Sequence, residues 1–176
     1  EGGAAVLLEE YEHAKARGAV ILGEVIGFAC NNNGGDLILP NLDGITTTLR
    51  LALADAGRKP ADVDFISAHA TATKMGDVIE SQAIAEVYGD KPWVTGLKSY
   101  MGHTMGTCGA IELILSLYMM EEGFLAPTLN LENVDERCAM LRHVREVTET
   151  EVHTAAIQNF AFGGVNTCLL ISDGRE

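Results

Sequence analysis

The sequence predicts an α/β fold on a five-stranded mixed sheet, in the order β-α-β-α-β-α-β-β. Three observations lead there. Short apolar runs rich in β-branched residues alternate with longer segments of helical character. Those helix-length crossovers make the first three strands parallel and place helices on the sheet faces. The last two apolar runs are joined only by Ala161-Phe162-Gly163-Gly164, which is a hairpin and so antiparallel.

Each element follows from local chemistry. Ala4 to Leu8 reads as a strand and Glu9 to Arg17 as a polar helix stopped by Gly18. Val20 to Ala29 reads as a strand ending in the turn cluster Asn31-Asn32-Asn33-Gly34-Gly35. A helix from Asp43 to Ala56 takes Asp43 as N-cap and Gly57 as stop. Pro60 to Asp62 leads into a buried strand, Phe65 to Ala68, ending at His69. The helix Asp77 to Tyr88 is closed by Gly89, and the strand Trp93 to Leu97 ends at Lys98. The segment His103 to Glu121 is apolar almost all round, the mark of a helix buried on most sides. After an irregular stretch, Gly123 to Asp135, come the paired strands Ala155 to Phe160 and Val165 to Ile171. The Ala4 strand stands outside this unit, as if it closed a preceding one. We therefore divide the chain at residue 18: 1–18 as the end of one half, 19–176 as the other.

Composition limits function. Of 176 residues, 47 % are hydrophobic and 21 % charged, which is ordinary for a globular domain. A net charge of −13 argues against nucleic-acid binding through phosphate neutralisation. The longest apolar stretch, Ala110 to Met120, contains Glu112 and is too short for a bilayer, which needs about 20 residues. Cys30, Cys108, Cys138 and Cys168 have no CxxC spacing, so they read as free thiols of a reducing cytoplasm rather than disulfides or zinc ligands. Gly102, Gly106 and Gly109 lack the Gly-Lys-Ser/Thr ending of a phosphate loop and read as helix packing.

Two histidines stand out. His69 opens His69-Ala70-Thr71-Ala72-Thr73, and His103 closes Lys98-Ser99-Tyr100-Met101-Gly102-His103. Each lies where a strand gives way to a turn before a helix. Imidazoles delivered this way can both donate hydrogen bonds to one developing oxyanion or enolate. No nucleophile accompanies them.

These segments resemble the β-ketoacyl-acyl-carrier-protein synthases. The two histidine motifs are similar to that family's H-G-T-G-T and K-S-x-x-G-H. Asn159-Phe160-Ala161-Phe162-Gly163-Gly164-Val165-Asn166 is similar to N-S-F-G-F-G-G-T-N, and Pro127-Thr128-Leu129-Asn130-Leu131-Glu132-Asn133 to P-T-I-N-L-E-N. Residues 1–19 resemble the family's mid-protein segment. The resemblance covers the whole chain and implies the C-terminal half of a thiolase-like fold, with the catalytic cysteine on a missing N-terminal half. The chain alone would then be inactive.

What the resemblance implies for chemistry is a decarboxylating condensation of an acyl thioester with malonyl-acyl carrier protein, in fatty acid or polyketide synthesis. His69 and His103 would stabilise the enolate, Lys98 and Glu112 would form a buried orienting pair, and Phe162 would gate the acyl pocket. Thr71 and Thr73 would hydrogen-bond the phosphopantetheine arm that carries the substrates. No dissociable cofactor and no metal are implied. The partners would be acyl carrier protein, the missing half, and a second synthase subunit in a homodimer or ketosynthase heterodimer. Lys74, Arg58 and Lys59 are candidates for a basic patch facing the acidic carrier protein. Ala70, Ala72 and Ala161 replace family glycines, which costs about 1 kcal/mol each wherever φ is positive. The alternative is a non-catalytic chain-length-factor-like partner. Retention of both histidines favours the enzyme over that alternative, and the lack of a C-x-G cysteine setting near the C-terminus excludes a thiolase proper.

Overall fold

The computed structural model describes residues 1–174. Its main sheet has six strands: β1 (Glu24–Asn32), β2 (Phe65–Ser67), β3 (Trp93–Thr95), β5 (Arg142–His143), β7 (Thr154–Ala161) and β8 (Val165–Ser172). Their spatial order is β1-β8-β7-β2-β3-β5. β7 is parallel to β2, β2 to β3 and β3 to β5, while β8 is antiparallel to both its neighbours. The expected parallel strands and final hairpin are present, with β8 between β1 and the rest. The sixth strand, β5, lies in the stretch after residue 135 where no strand was expected. The short β4 (Phe124–Leu125) and β6 (Thr148–Glu149) form a separate ribbon.

Alternation along the strands divides the core in two. Ile66, Ala156 and Leu170 face a cluster with Ile45, Leu49 and Ala52 of α2 (Leu42–Asp55) and Ala83, Ile84 and Val87 of α3 (Gly76–Tyr88). Phe65, Ala155 and Ile171 face the opposite cluster, with Leu113, Met119 and Met120 of α5 (Cys108–Glu122). A period of two in the strands thus produces helix-on-sheet packing on both sides. At Gly27, a Cβ would come within 2.8 Å of the Ala52 carbonyl oxygen, so glycine lets α2 lie directly on β1.

Several expectations change. Residues 4–8 form no strand, because no neighbouring strand pairs with them; Leu7 and Leu8 are exposed. The first helix, α1, is confined to Tyr11–Ala16 and capped by the Glu10 carboxylate. β1 begins four residues later than expected and runs through Asn31 and Asn32, which pair with Asn166 and Val165. The cap of α2 is Asn41, not Asp43: its extended backbone lets Oδ1 accept from the Gly44 N–H at 2.7 Å. The helix expected from His103 is broken. A short α4 (Lys98–Met101) ends at Gly102, a 3₁₀ turn spans Met105–Thr107, and Met105 has φ +57, so α5 starts at Cys108. Tyr118 leaves one side of α5 exposed. Among the described residues no helix is long and apolar enough to cross a membrane.

Candidate active site

The site forms at the carboxyl ends of three parallel strands, where open α/β sheets expose the loops that follow them. β2 delivers His69, β3 delivers Lys98, and β7 ends in Asn159 to Ala161. His103 follows α4. The His69 and His103 rings are brought together at 5.6 Å between centroids and 90° to one another. Phe160 stands edge-on to His69 at 5.5 Å.

Beneath the rings lies an ion pair. Lys98 Nζ donates to Glu112 Oε1 at 2.6 Å, with side-chain exposures of 4 % and 0 %. The second carboxylate oxygen, Oε2, accepts from Asn159 Nδ2 at 2.8 Å, and Asn159 Oδ1 lies 3.3 Å from His69 Nδ1. The pair is therefore linked to a histidine ring through one amide. Burial and the Lys98 charge push His69 down to about 4, so its ring is neutral at pH 7.

The His69 loop is held from behind. Its backbone N–H and that of Ala70 donate to the two oxygens of Glu80, at 2.7 and 2.8 Å. Burial pushes this carboxyl up to about 7, against the lowering effect of the two N–H groups. Ala70 and Ala72 have φ of +35 and +58, so both strain-bearing positions expected of the family glycines are real. Ala161 differs. It is the last residue of β7, paired with Val165, and its φ is not positive.

His103 is more exposed. The Met105 N–H donates to its Nδ1 at 3.1 Å, and Cys108 Sγ lies 3.2 Å from the same atom. Cys108 is buried, and its sulfur also accepts from the Thr104 N–H at 3.2 Å. Thr71 and Thr73 sit together, Oγ1 to Oγ1 at 3.2 Å, and Thr73 lines a cavity of about 340 Å³ beside the loop. Phe162 is at the hairpin tip and 70 % exposed. The basic candidates are not one patch: Lys74 lines the cavity beside Thr73, whereas Arg58 and Lys59 precede β2 at its opposite end, Arg58 in a separate cleft with Asp62 and Lys91.

Sequence reasoning missed Glu80 and Asn159. Glu80 could have been found as a carboxylate on the buried face of α3, between Ile79 and Ser81. Asn159 was visible only as a motif letter.

The fold is thiolase-like, and it is shared with the C-terminal part of known β-ketoacyl synthases. The model of the β-ketoacyl synthase C-terminal domain matches residues 22–132, and the chain belongs to this family. It is 40 % identical over 171 residues to 3-oxoacyl-[acyl-carrier-protein] synthase 1 of Escherichia coli (strain K12), covering 97 % of this chain but 41 % of that protein. The chain thus spans about two fifths of that relative's length. A β-ketoacyl synthase from Burkholderia phymatum STM815 superposes with a TM-score of 0.93 at 44 % identity, covering 95 % of this chain and 41 % of that one. A type II PKS acyl-carrier protein in complex with its ketosynthase bound to the hexaketide gives a TM-score of 0.88 at 32 % identity, covering 93 % and 41 %.

Proposed function

We propose that this chain supplies the decarboxylation half of a condensing enzyme, which joins an acyl thioester to a malonyl unit carried on acyl carrier protein. The observation that carries this reading is the perpendicular His69–His103 pair, set 5.6 Å apart above the buried Lys98–Glu112 pair. The family's nucleophilic cysteine belongs to the N-terminal half, to which residues 1–18 are also assigned. Cys108 is not that nucleophile: it is 1 % exposed and its sulfur faces Thr104 and the back of His103.

In the proposed reaction an acyl group waits on that cysteine while the malonyl arm enters past Thr71 and Thr73. The malonyl C–C bond to the carboxylate breaks, carbon dioxide leaves, and the electron pair spreads onto the thioester oxygen as an enolate. Charge on that oxygen grows toward the transition state, so a hydrogen bond from His103 lowers the barrier rather than merely tightening binding. The enolate carbon then attacks the acyl-cysteine carbonyl, and the thiolate leaves. Phe162, exposed at the hairpin tip, gates the acyl pocket. A carrier protein contacts the Lys74 side, since Arg58 lies at the far end of β2.

His103→Ala in the intact synthase tests this. Malonyl decarboxylation should be abolished, a loss of about 3–4 kcal/mol of barrier stabilisation or more, while acylation of the cysteine continues. Lost acylation with normal decarboxylation would refute the assignment. So would condensation by the 176-residue chain alone.

A further inference from the structure

The cavity beside the His69 loop is separate from the histidine site. It lies between α3 and residues 128–141, at the carboxyl ends of β2 and β3, against Ala68, Ile84 and Val94 of the α3-side core. Its lining among the described residues includes none of His69, His103, Asn159 and Phe162. The ion pair of the histidine site reaches instead to Glu112 of α5, on the opposite face of the sheet. Glu80 is the wall between the two: it lines the cavity while its carboxylate holds the His69 and Ala70 N–H groups. At about 340 Å³ the cavity has the size of a small-molecule site, for which about 300–1,000 Å³ is usual.

Much of the polar lining is already occupied from within the chain. Ser81 Oγ donates to the Val78 carbonyl at 2.7 Å and accepts from the Ala139 N–H at 3.0 Å. Thr128 Oγ1 accepts from the Gly96 N–H at 2.9 Å, and Asp77 Oδ1 from the Ala72 N–H at 3.1 Å. Arg137 and Asp135 pair with each other. His143 differs. Among the described residues its buried Nε2 has no hydrogen-bond partner, which costs free energy unless something supplies one. Burial and the Arg145 charge hold this imidazole below its ordinary value, so it is neutral at pH 7. A hydroxyl serves a neutral imidazole in either tautomer, because it both donates and accepts. Leu131, Val134 and Leu141 add apolar surface around it. We propose that this cavity is a second binding site, for a small uncharged molecule with an apolar body and one hydroxyl directed at the His143 imidazole. Charged ligands fit poorly, because Lys74 is opposed by Asp77 and Glu80 in the same lining. The site stands apart from the decarboxylation reading and meets it only at Glu80.

The test is a titration of the intact synthase, methyl-labelled at isoleucine, leucine and valine, with 2-naphthol, two fused rings carrying one hydroxyl. Binding should be saturable and should shift the Ile84, Val94 and Leu141 methyl signals while leaving Leu113 of α5 unmoved. Val134→Trp, at a position 39 % exposed, should fill the cavity and abolish those shifts. His143→Phe keeps a ring without its nitrogens and should weaken 2-naphthol binding by about tenfold, the worth of one good hydrogen bond. Naphthalene, which lacks the hydroxyl, should bind wild type and His143→Phe alike. No saturable binding of 2-naphthol to wild type would overturn the proposal, and that result depends on no variant folding. Shifts centred on Leu113 would place the probe on the other face of the sheet and overturn it too. Equal affinity of 2-naphthol for wild type and His143→Phe would overturn the part given to the imidazole.

Discussion

Glu80 holds His69 by its backbone: a carboxylate on α3 accepts the N–H of a residue eleven positions earlier, at 2.7 Å. The two groups also oppose one another in their response to pH. Glu80 moves from 4.5 up to about 7, so the folded protein keeps this proton more tightly than the unfolded chain does. The stabilisation is complete below about pH 4.5 and is lost as pH rises to about 7. His69 moves from 6.5 down to about 4, so the folded state refuses a proton that the unfolded chain accepts. Its stabilisation is complete above about pH 6.5 and is lost as pH falls to about 4.

Each shift corresponds to about 3 kcal/mol, and the two slopes cancel between about pH 4.5 and 6.5. Urea denaturation at pH 4.5, 5.5 and 6.5 should therefore separate the variants. Glu80→Gln should become more stable as pH rises, His69→Gln less stable, and wild type should lie between them. Parallel profiles for all three would show that neither group is perturbed as described.

The buried pair should be costly to break and cheaper to lose together. Lys98→Met leaves Glu112 at 0 % exposure without its cation, and Glu112→Gln leaves Lys98 without its partner. Each should cost about 3–5 kcal/mol. The double variant Lys98→Met/Glu112→Gln should cost less than the two summed, a coupling read from a double-mutant cycle in urea. Simple additivity would mean that the pair does not interact.

Two of the alanines at family glycine positions, Ala72 and Ala161, should respond with opposite signs. Ala72 has φ +58 and is exposed, so Ala72→Gly relieves strain and should raise stability by about 0.5–1 kcal/mol. Ala161 is a strand residue, so Ala161→Gly should lower it by about 0.5–1 kcal/mol. Thermal melts of the two variants against wild type check the sign. The same sign at both positions would contradict the backbone description.

Phe162 should matter for substrate and hardly at all for folding. At 70 % exposure, Phe162→Ala should change stability by less than about 0.5 kcal/mol. In the intact synthase the same variant should alter the relative rates for acyl chains of different length. A large loss of stability would make it a packing residue instead.

Much of this was legible before any coordinates, for physical reasons that differ by residue. The hairpin was plain because two strand-like runs flank a short stretch carrying Gly163 and Gly164. α3 was plain because Gly89, with φ +72, stops it. Residues 4–8 misled because an apolar run resembles a strand whether or not a partner strand is there to pair with it. The extent of β1 was set by its partner: β8 carries the ladder to Asn32, past residues whose own propensity favours turns. The helix break before Cys108 was hidden because Met105 is an ordinary helix former forced to a positive φ by the turn after His103. At the site, His69, His103, Lys98 and Glu112 could be singled out from motifs. Glu80 stands in no motif and was open only to a reading of the buried face of α3, and the role of Asn159 depends on atoms that the fold brings within 3.5 Å.

The place of β8 has a consequence for how the protein is made. Among the described residues β1 pairs with the sheet through β8, and their paired residues lie more than a hundred positions apart, as in Asn32 with Val165. While a ribosome is still synthesising the chain, β1 has no strand to pair with until residues 165–172 emerge. Such distant pairing favours slow closure and leaves an unpaired strand edge open in the interval. Vectorial synthesis thus makes the hairpin beside the histidine pair also the step that completes the sheet, so a chain stalled before Val165 lacks the strand that would join β1 to the rest.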